Sequence, residues 1–242
     1  MFDLTGKKAL VTGSSQGIGF TVAKYLSEHG AKVFVHGGMS CEKTCGAAEK
    51  IGNAVPVTVD LFDGACDEKL YAVTGDIDIL VLNASVQYRK AWDEITDEEF
   101  YKQIDVNIRA SLKLIQKYAP HMKEHRWGRI VTVGSVQQQK PHKDMLVYAA
   151  TKAAQLNMVI NLAKQLAPFG ITVNNVAPGV IATPRNADAL ADKEYAAKVM
   201  SGIPMGYAGE AVDCAAQILL LCSDEGRYMT GEDIYIDGGM KL

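Results

Sequence analysis

Thr12-Gly13-Ser14-Ser15-Gln16-Gly17-Ile18-Gly19 is the stretch on which the fold turns. Three glycines in eight residues let a backbone reverse tightly and come close to another group. Before it, Lys8 to Val11 is a short apolar run with strand character. After it, apolar periodicity over residues 17–29 predicts a helix that Gly30 stops as a C-cap. A strand that feeds such a turn into a helix presents unpaired amides and a positive dipole end, a seat for an anion such as a pyrophosphate. The spacing is not Gly-x-Gly-x-x-Gly, so the turn takes its meaning from its place between strand and helix. A tight turn without a ligand is the plain alternative.

Outward from the turn, strand and helix patterns alternate to the end of the 242 residues. Strands are predicted at 32–35, 55–60, 78–82, 129–133, 171–176 and 233–237, the run at 78–82 being unbroken apolar after Asp78, as in a parallel sheet buried on both faces. A modest helix is predicted at 42–51. Thr96-Asp97-Glu98-Glu99 is a capping box that opens a long helix through Ile104, Ile108, Leu112 and Ile115. Further helices are predicted at 146–168 and 211–222, and residues 181–205 read as a mobile helical lid. This rhythm predicts an α/β fold, a doubly wound parallel sheet with helices on both faces, as one domain over 1–242. Ligands bind such sheets beyond the carboxyl ends of the strands, so the informative residues should follow strands.

Bulk properties narrow the partners. A net charge of −3 with 22 % charged residues argues against nucleic acid and membrane surfaces. No run reaches the roughly 18 apolar residues of a membrane span, and the N-terminal segment lacks the pattern of a secretory signal. Five cysteines at irregular spacing suit a reducing, cytoplasmic setting. Cys41 and Cys45, with His36 nearby, lack the spacing and the fourth ligand of a structural zinc site, and no metal is expected.

Tyr148-Ala149-Ala150-Thr151-Lys152 places a phenol and an ammonium one helical turn apart. A phenol titrates near pH 10, and a fixed cation beside it brings it toward the working range of a proton exchanger. The pair alone is common on helix surfaces. Ser135, directly after the strand at 129–133, gives it force, because a hydroxyl there can hold a substrate oxygen against the phenol. Asn107, polar among Val106 and Ile108, is either a satisfied buried amide or a kink feeding a proton chain.

Taken together these motifs resemble the short-chain dehydrogenase/reductase family over residues 3–242. Thr12 to Gly19 matches its glycine turn, Ser135 its active-site serine, Tyr148 and Lys152 its Tyr-x-x-x-Lys, Asn107 its helix asparagine, and Pro178-Gly179 its Pro-Gly segment. The resemblance implies a Rossmann fold, hydride transfer between nicotinamide and an alcohol or carbonyl carbon, and a homotetramer or homodimer. It makes Tyr148 the proton exchanger, Ser135 the group that positions the substrate oxygen, Lys152 the residue that lowers the tyrosine pKa and binds the nicotinamide ribose, and Asn107 the holder of a relay water. Cofactor contacts are expected at Gly13, Ser15, Gln16, Gly17, Ile18, Gly19, His36, Gly37, Asp60, Leu61, Asn83, Ala84, Tyr148, Lys152, Pro178, Gly179, Ile181 and Thr183. One departure stands out: the family's Asn-Asn-Ala-Gly is Leu82-Asn83-Ala84-Ser85 here.

A carboxylate after the second strand binds the ribose 2′-hydroxyl of NAD and repels the 2′-phosphate of NADP. Residues 35–40, Val-His-Gly-Gly-Met-Ser, hold none, so NADP is expected, with NAD not excluded and His36, Ser40 and Lys43 the nearest groups for the phosphate. Asp60 is placed either to meet the adenine amino group or to cap the next turn. Polar residues after Ser135, together with Ser85, Gln87, Tyr88 and Arg89, point to a sugar, polyol, sugar acid or hydroxy acid. A 3-oxoacyl-carrier-protein reductase is the alternative; a non-catalytic dinucleotide-binding sensor or scaffold is the alternative from another class. The four-residue spacing of Tyr and Lys disfavours an enoyl reductase.

Overall fold

The computed structural model describes the backbone of residues 1–242 and every side chain but those of Asp188 and Ala189. Seven strands form one sheet in the order β3-β2-β1-β4-β5-β6-β7: β1 Lys8–Val11, β2 Lys32–Gly37, β3 Ala54–Thr58, β4 Ile79–Leu82, β5 Gly128–Val133, β6 Ile171–Pro178 and β7 Asp233–Ile236. Every pairing is parallel. Parallel neighbours need crossovers, and helices supply them. On one face lie α1 Gly17–Glu28 and α9 Ala211–Cys222; on the other lie α3 Cys66–Thr74, α5 Ala110–Glu124 and α6 Leu146–Leu166. The remaining helices are α2 Cys41–Ile51, α4 Asp97–Ile104, α7 Ala187–Ala191 and α8 Lys193–Ser201. The expected Rossmann arrangement is present.

Strand alternation divides the core in two. In β1, Leu10 joins the layer that holds Leu114, Tyr118 and Val159, while Ala9 and Val11 join the layer that holds Val22, Leu26 and Ile218. All four residues of β4 are buried, each such aliphatic side chain contributing about 1.5–3 kcal/mol. Among the described residues no helix is long and apolar enough to cross a membrane.

Several expected boundaries shift. β3 ends at Thr58, so Asp60 lies beyond it rather than closing it. The helix α3 was not anticipated: Ala65 at its N-cap makes no side-chain capping bond, and only Cys66, Leu70 and Thr74 are buried. The long helix begins at the capping box, where Thr96 and Glu99 bond reciprocally, but it carries a π-helical segment at Asp105–Arg109. The expected lid is a 3₁₀ turn, Pro184–Asn186, followed by α7 and α8.

Candidate active site

Sheet order reverses between β1 and β4, and there the carboxyl ends of β1, β4, β5 and β6 open onto a cavity of about 560 Å³. Its walls bring together Gly13, Gln16, Gly17, Ile18, Asn83, Ser135, Tyr148, Pro178, Gly179, Ile181 and Thr183, residues drawn from five separate parts of the chain.

The glycine turn is built for close approach. Gly13 and Gly17 have φ of +62° and +61°, a region that favours glycine. A Cβ on Gly13 would lie 2.8 Å from the Ala84 Cα, and one on Gly19 would collide with the Asn83 amide. Thr12 Oγ1 accepts the amides of Asn83 and Ala84, both at 3.0 Å, and Asn83 Nδ2 donates to the carbonyls of Thr12 and Gly13, both at 2.9 Å. These bonds lock the turn to the end of β4. The N-terminus of α1 has neither a side-chain cap nor an acid in its first turn, so its first amides are left for an anionic ligand. The turn therefore fits a dinucleotide pyrophosphate, with Gly13, Ser15, Gln16, Gly17 and Ile18 around it.

His36 is placed otherwise than expected. Its ring is buried, 1 % exposed; Nδ1 accepts the Gly13 amide at 3.1 Å and Nε2 donates to the Val59 carbonyl at 2.8 Å. With both nitrogens engaged inside the protein, the ring cannot clasp a 2′-phosphate; it braces the glycine turn, and burial lowers its pKa. Gly37 is dictated by packing, because a Cβ there would collide with Thr44. Ser40, which caps α2 by accepting the Lys43 amide, and exposed Lys43 are left as the polar groups at this end. Asp60 Oδ1 accepts the Phe62 amide at 3.0 Å, the capping role of the two considered, and the Leu61 side chain lies in the core.

At the other end of the cavity Ser135 Oγ accepts the Gln137 amide at 3.2 Å, which leaves its hydrogen to donate outward. Tyr148 is 6 % exposed. Burial raises its pKa, while Arg185, Ser135 and Ser85 act in the opposite direction. Arg185 is thus a cation acting on the phenol that the sequence did not point to. The Lys152 ammonium donates to the Val133 carbonyl at 2.8 Å and to Gln155 Oε1 at 2.9 Å, and lies 5.6 Å from the centre of the Tyr148 ring. Burial, with the charge of Arg185, takes its pKa down to about 7.

Asn107 sits in the π-helical segment. Its Oδ1 accepts the Val86 amide at 2.8 Å, and Nδ2 donates to the Val86 carbonyl and Thr151 Oγ1 at 2.9 and 3.0 Å. Its side chain is thus a satisfied buried amide that ties the β4 loop to α6. A second connection runs through its backbone: Gln155 Nε2 donates to Ser111 Oγ at 3.1 Å, and Ser111 Oγ donates to the Asn107 carbonyl at 2.9 Å. Lys152 and the π segment are therefore joined by side chains the sequence reading missed. Gln155 had a visible signal, a polar residue one turn beyond Lys152 on a buried face. Arg185 had none: nothing local tells a lid arginine that reaches into a site from one that faces water.

Comparison with known proteins agrees with this geometry. A family model described as enoyl-(acyl carrier protein) reductase matches residues 13–241. The 3-oxoacyl-[acyl-carrier-protein] reductase FabG of Escherichia coli K12 is 37 % identical over 242 residues, with 98 % of each chain covered. A 3-oxoacyl (acyl-carrier-protein) reductase from Agrobacterium tumefaciens C58 with NADP bound superposes with a TM-score of 0.93 at 35 % identity, covering 98 % of this chain and 95 % of that one. A gluconate 5-dehydrogenase from Burkholderia cenocepacia J2315, in complex with NADP and tartrate, superposes at 0.91 with 29 % identity, covering 99 % and 96 %. The chain belongs to the short-chain dehydrogenase/reductase family.

Proposed function

We propose that the protein is an NADP-dependent oxidoreductase that interconverts a carbonyl and an alcohol on a small polar substrate, with Tyr148 as the proton exchanger. The observation that carries this reading is the meeting of Tyr148 and Ser135 in the same cavity as the glycine turn. NADP, held by the turn and by the ends of β4 and β6, would supply or accept the hydride. Ser135, its oxygen occupied by the Gln137 amide, donates its hydrogen to the substrate oxygen and orients it toward the phenol. Tyr148, whose burial keeps it in the neutral form, gives its proton to that oxygen in reduction and takes it back in oxidation. Lys152, through Gln155 and Ser111, ties this centre to the π segment, and its neighbourhood would receive the nicotinamide ribose.

NADP rather than NAD is supported by the absence of any acid in residues 35–40 and by the NADP held in the A. tumefaciens reductase. The substrate reading rests on Ser85, Gln87, Gln137 and His142 around the reacting centre, more polar than an acyl chain requires. The FabG relatives keep a 3-oxoacyl thioester as the second reading. We further infer a cytoplasmic homotetramer that acts on a small molecule, which gel filtration at about four times the 26.2 kDa chain mass would support. Tyr148→Phe keeps the ring but removes the exchangeable proton. It is expected to lower kcat at least 1,000-fold, on the order of a lost general acid, while NADPH affinity by fluorescence stays within about threefold. Normal turnover in this variant would overturn the reading.

A further inference from the structure

Arg185 stands at the start of the lid, and its guanidinium reaches across the cavity mouth to a single residue of the β4 loop. Nη1 donates to Ser85 Oγ at 2.9 Å and Nη2 to the Ser85 carbonyl at 2.8 Å. Two terminal N–H groups of one guanidinium are thus aimed at two oxygens of one residue, the arrangement in which arginine binds a carboxylate. The carbonyl would be there with any residue, but the Oγ acceptor exists because serine stands where the resembled family pattern has glycine, and it makes the contact two-pronged.

The surroundings are one-sided in charge. Arg185, Arg89 and His142 line the cavity, and among its described lining residues there is no aspartate or glutamate. Arg89 is already engaged: its Nε lies 3.9 Å from an Asp144 oxygen, its Nη2 lies 3.3 Å from His142 Nε2, and its guanidinium lies 5.1 Å from the centre of the Tyr195 ring. Among the described residues Arg185 has no carboxylate within ion-pair distance. Its acceptors are neutral oxygens, which an anion displaces readily because a charged acceptor makes the stronger hydrogen bond. The guanidinium also lies close enough to Tyr148 to act on its hydroxyl.

We propose that Arg185 is the carboxylate-binding residue of the substrate site, held ready by Ser85, and that the substrate is an oxo or hydroxy acid with its carboxylate close to the reacting carbon. The inference rests on Tyr148 and Ser135 being the reacting centre and narrows its substrate to an acid. On arrival the carboxylate replaces the two Ser85 oxygens, and the α- or β-carbon is brought to the phenol. A neutral polyol or a thioester has no group to make this exchange.

Calorimetric titration of the NADP-loaded enzyme with L-tartrate and with threitol, its uncharged four-carbon counterpart, tests the proposal. Tartrate is expected to bind on the order of 30-fold more tightly than threitol, the worth of a charged bidentate contact. Arg185→Gln should bring tartrate down to the level of threitol, and Arg185→Lys, which keeps the charge without the paired donors, should fall between. Equal binding of the two compounds by the wild type, no binding of tartrate, or tartrate affinity unmoved by Arg185→Gln would each overturn it. The same titration in Tyr148→Phe, which cannot turn over, separates the two readings. Tartrate binding that persists there supports the arginine whatever the reaction proves to be. In the kinetic arm, 3-oxobutanoate should be reduced with a kcat/KM well above that of its ethyl ester; equal values would overturn the acid preference and leave the reductase standing.

Discussion

A histidine chosen from the sequence as a phosphate contact proves to be an internal strut. His36 must be neutral to accept from Gly13 while donating to Val59, so protonation breaks one of two buried bonds. The folded ring holds a proton less tightly than the unfolded one, and below about pH 6.5 the unfolded chain binds the extra proton. His36 therefore lends stability that is complete above that pH and declines as the pH falls. Lys152, brought down to about 7, has the same sign in a different window: its stabilising slope begins near pH 7 and runs up to the ordinary lysine value. His142 shares the acid window, being lowered by burial and by Arg89, so a comparison is needed to isolate His36. In His36→Gln, melting temperatures from pH 5 to 7 should vary less steeply than in the wild type, whereas equal slopes would show that the ring titrates freely. The placement of Ser135 and Tyr148 in one cavity was legible because the first follows a strand end and the second lies one helical turn from Lys152. The placement of Arg185 was not, because it depends on a contact across 100 residues that no local pattern encodes.

At the scale of elements, regular segments were readable and irregular ones were not. The helix Ala211–Cys222 and the capping box at Thr96 fall where periodicity and capping chemistry put them, since both are local. The π segment does not, because an extra residue in a helical turn is sustained by tertiary partners. Here the partners are Val86 and Thr151, to which the Asn107 side chain makes three bonds. Asn107→Ala strands an amide, a carbonyl and part of a hydroxyl in the interior and removes the reason for the bulge. At roughly 1–3 kcal/mol for each unsatisfied group, offset by relaxation toward an α-helix, a loss of about 3 kcal/mol is expected. Urea denaturation with an unchanged m value would report it as a lower midpoint. A loss under about 1 kcal/mol would mean that the bulge is held by packing alone. The helix α3 is weakly marked for a similar reason: three buried residues in nine make a weak stripe, and α5 holds it in place through Thr74–Tyr118, Asp67–Lys113 and Glu68–Lys117.

For the molecule as a whole, the sheet order places the glycine turn, the Asn83 loop, Ser135 and Pro178 at one edge, although they are spread over 165 residues of chain. The two ends of the cavity are coupled through that edge, because Thr12 and Asn83 bind each other across β1 and β4 and Asn107 ties the same loop to the helix of Tyr148 and Lys152. A ligand lying along the edge bridges the two core layers and should stabilise the fold by linkage, about 2.7 kcal/mol at a concentration of 100 Kd. For a chain of this size that corresponds to a rise of roughly 5–10 °C in Tm. NADPH should produce this rise, and NADH at the same concentration a clearly smaller one, since no acid after β2 reserves the site for a free 2′-hydroxyl. Gly13→Ala, strained at φ +62° and with its Cβ 2.8 Å from Ala84 Cα, should lose the NADPH-dependent rise by more than it lowers the ligand-free Tm. A larger shift with NADH would reverse the cofactor assignment and leave the fold argument intact. An equal shift in the glycine variant would instead place the dinucleotide away from the turn between β1 and α1.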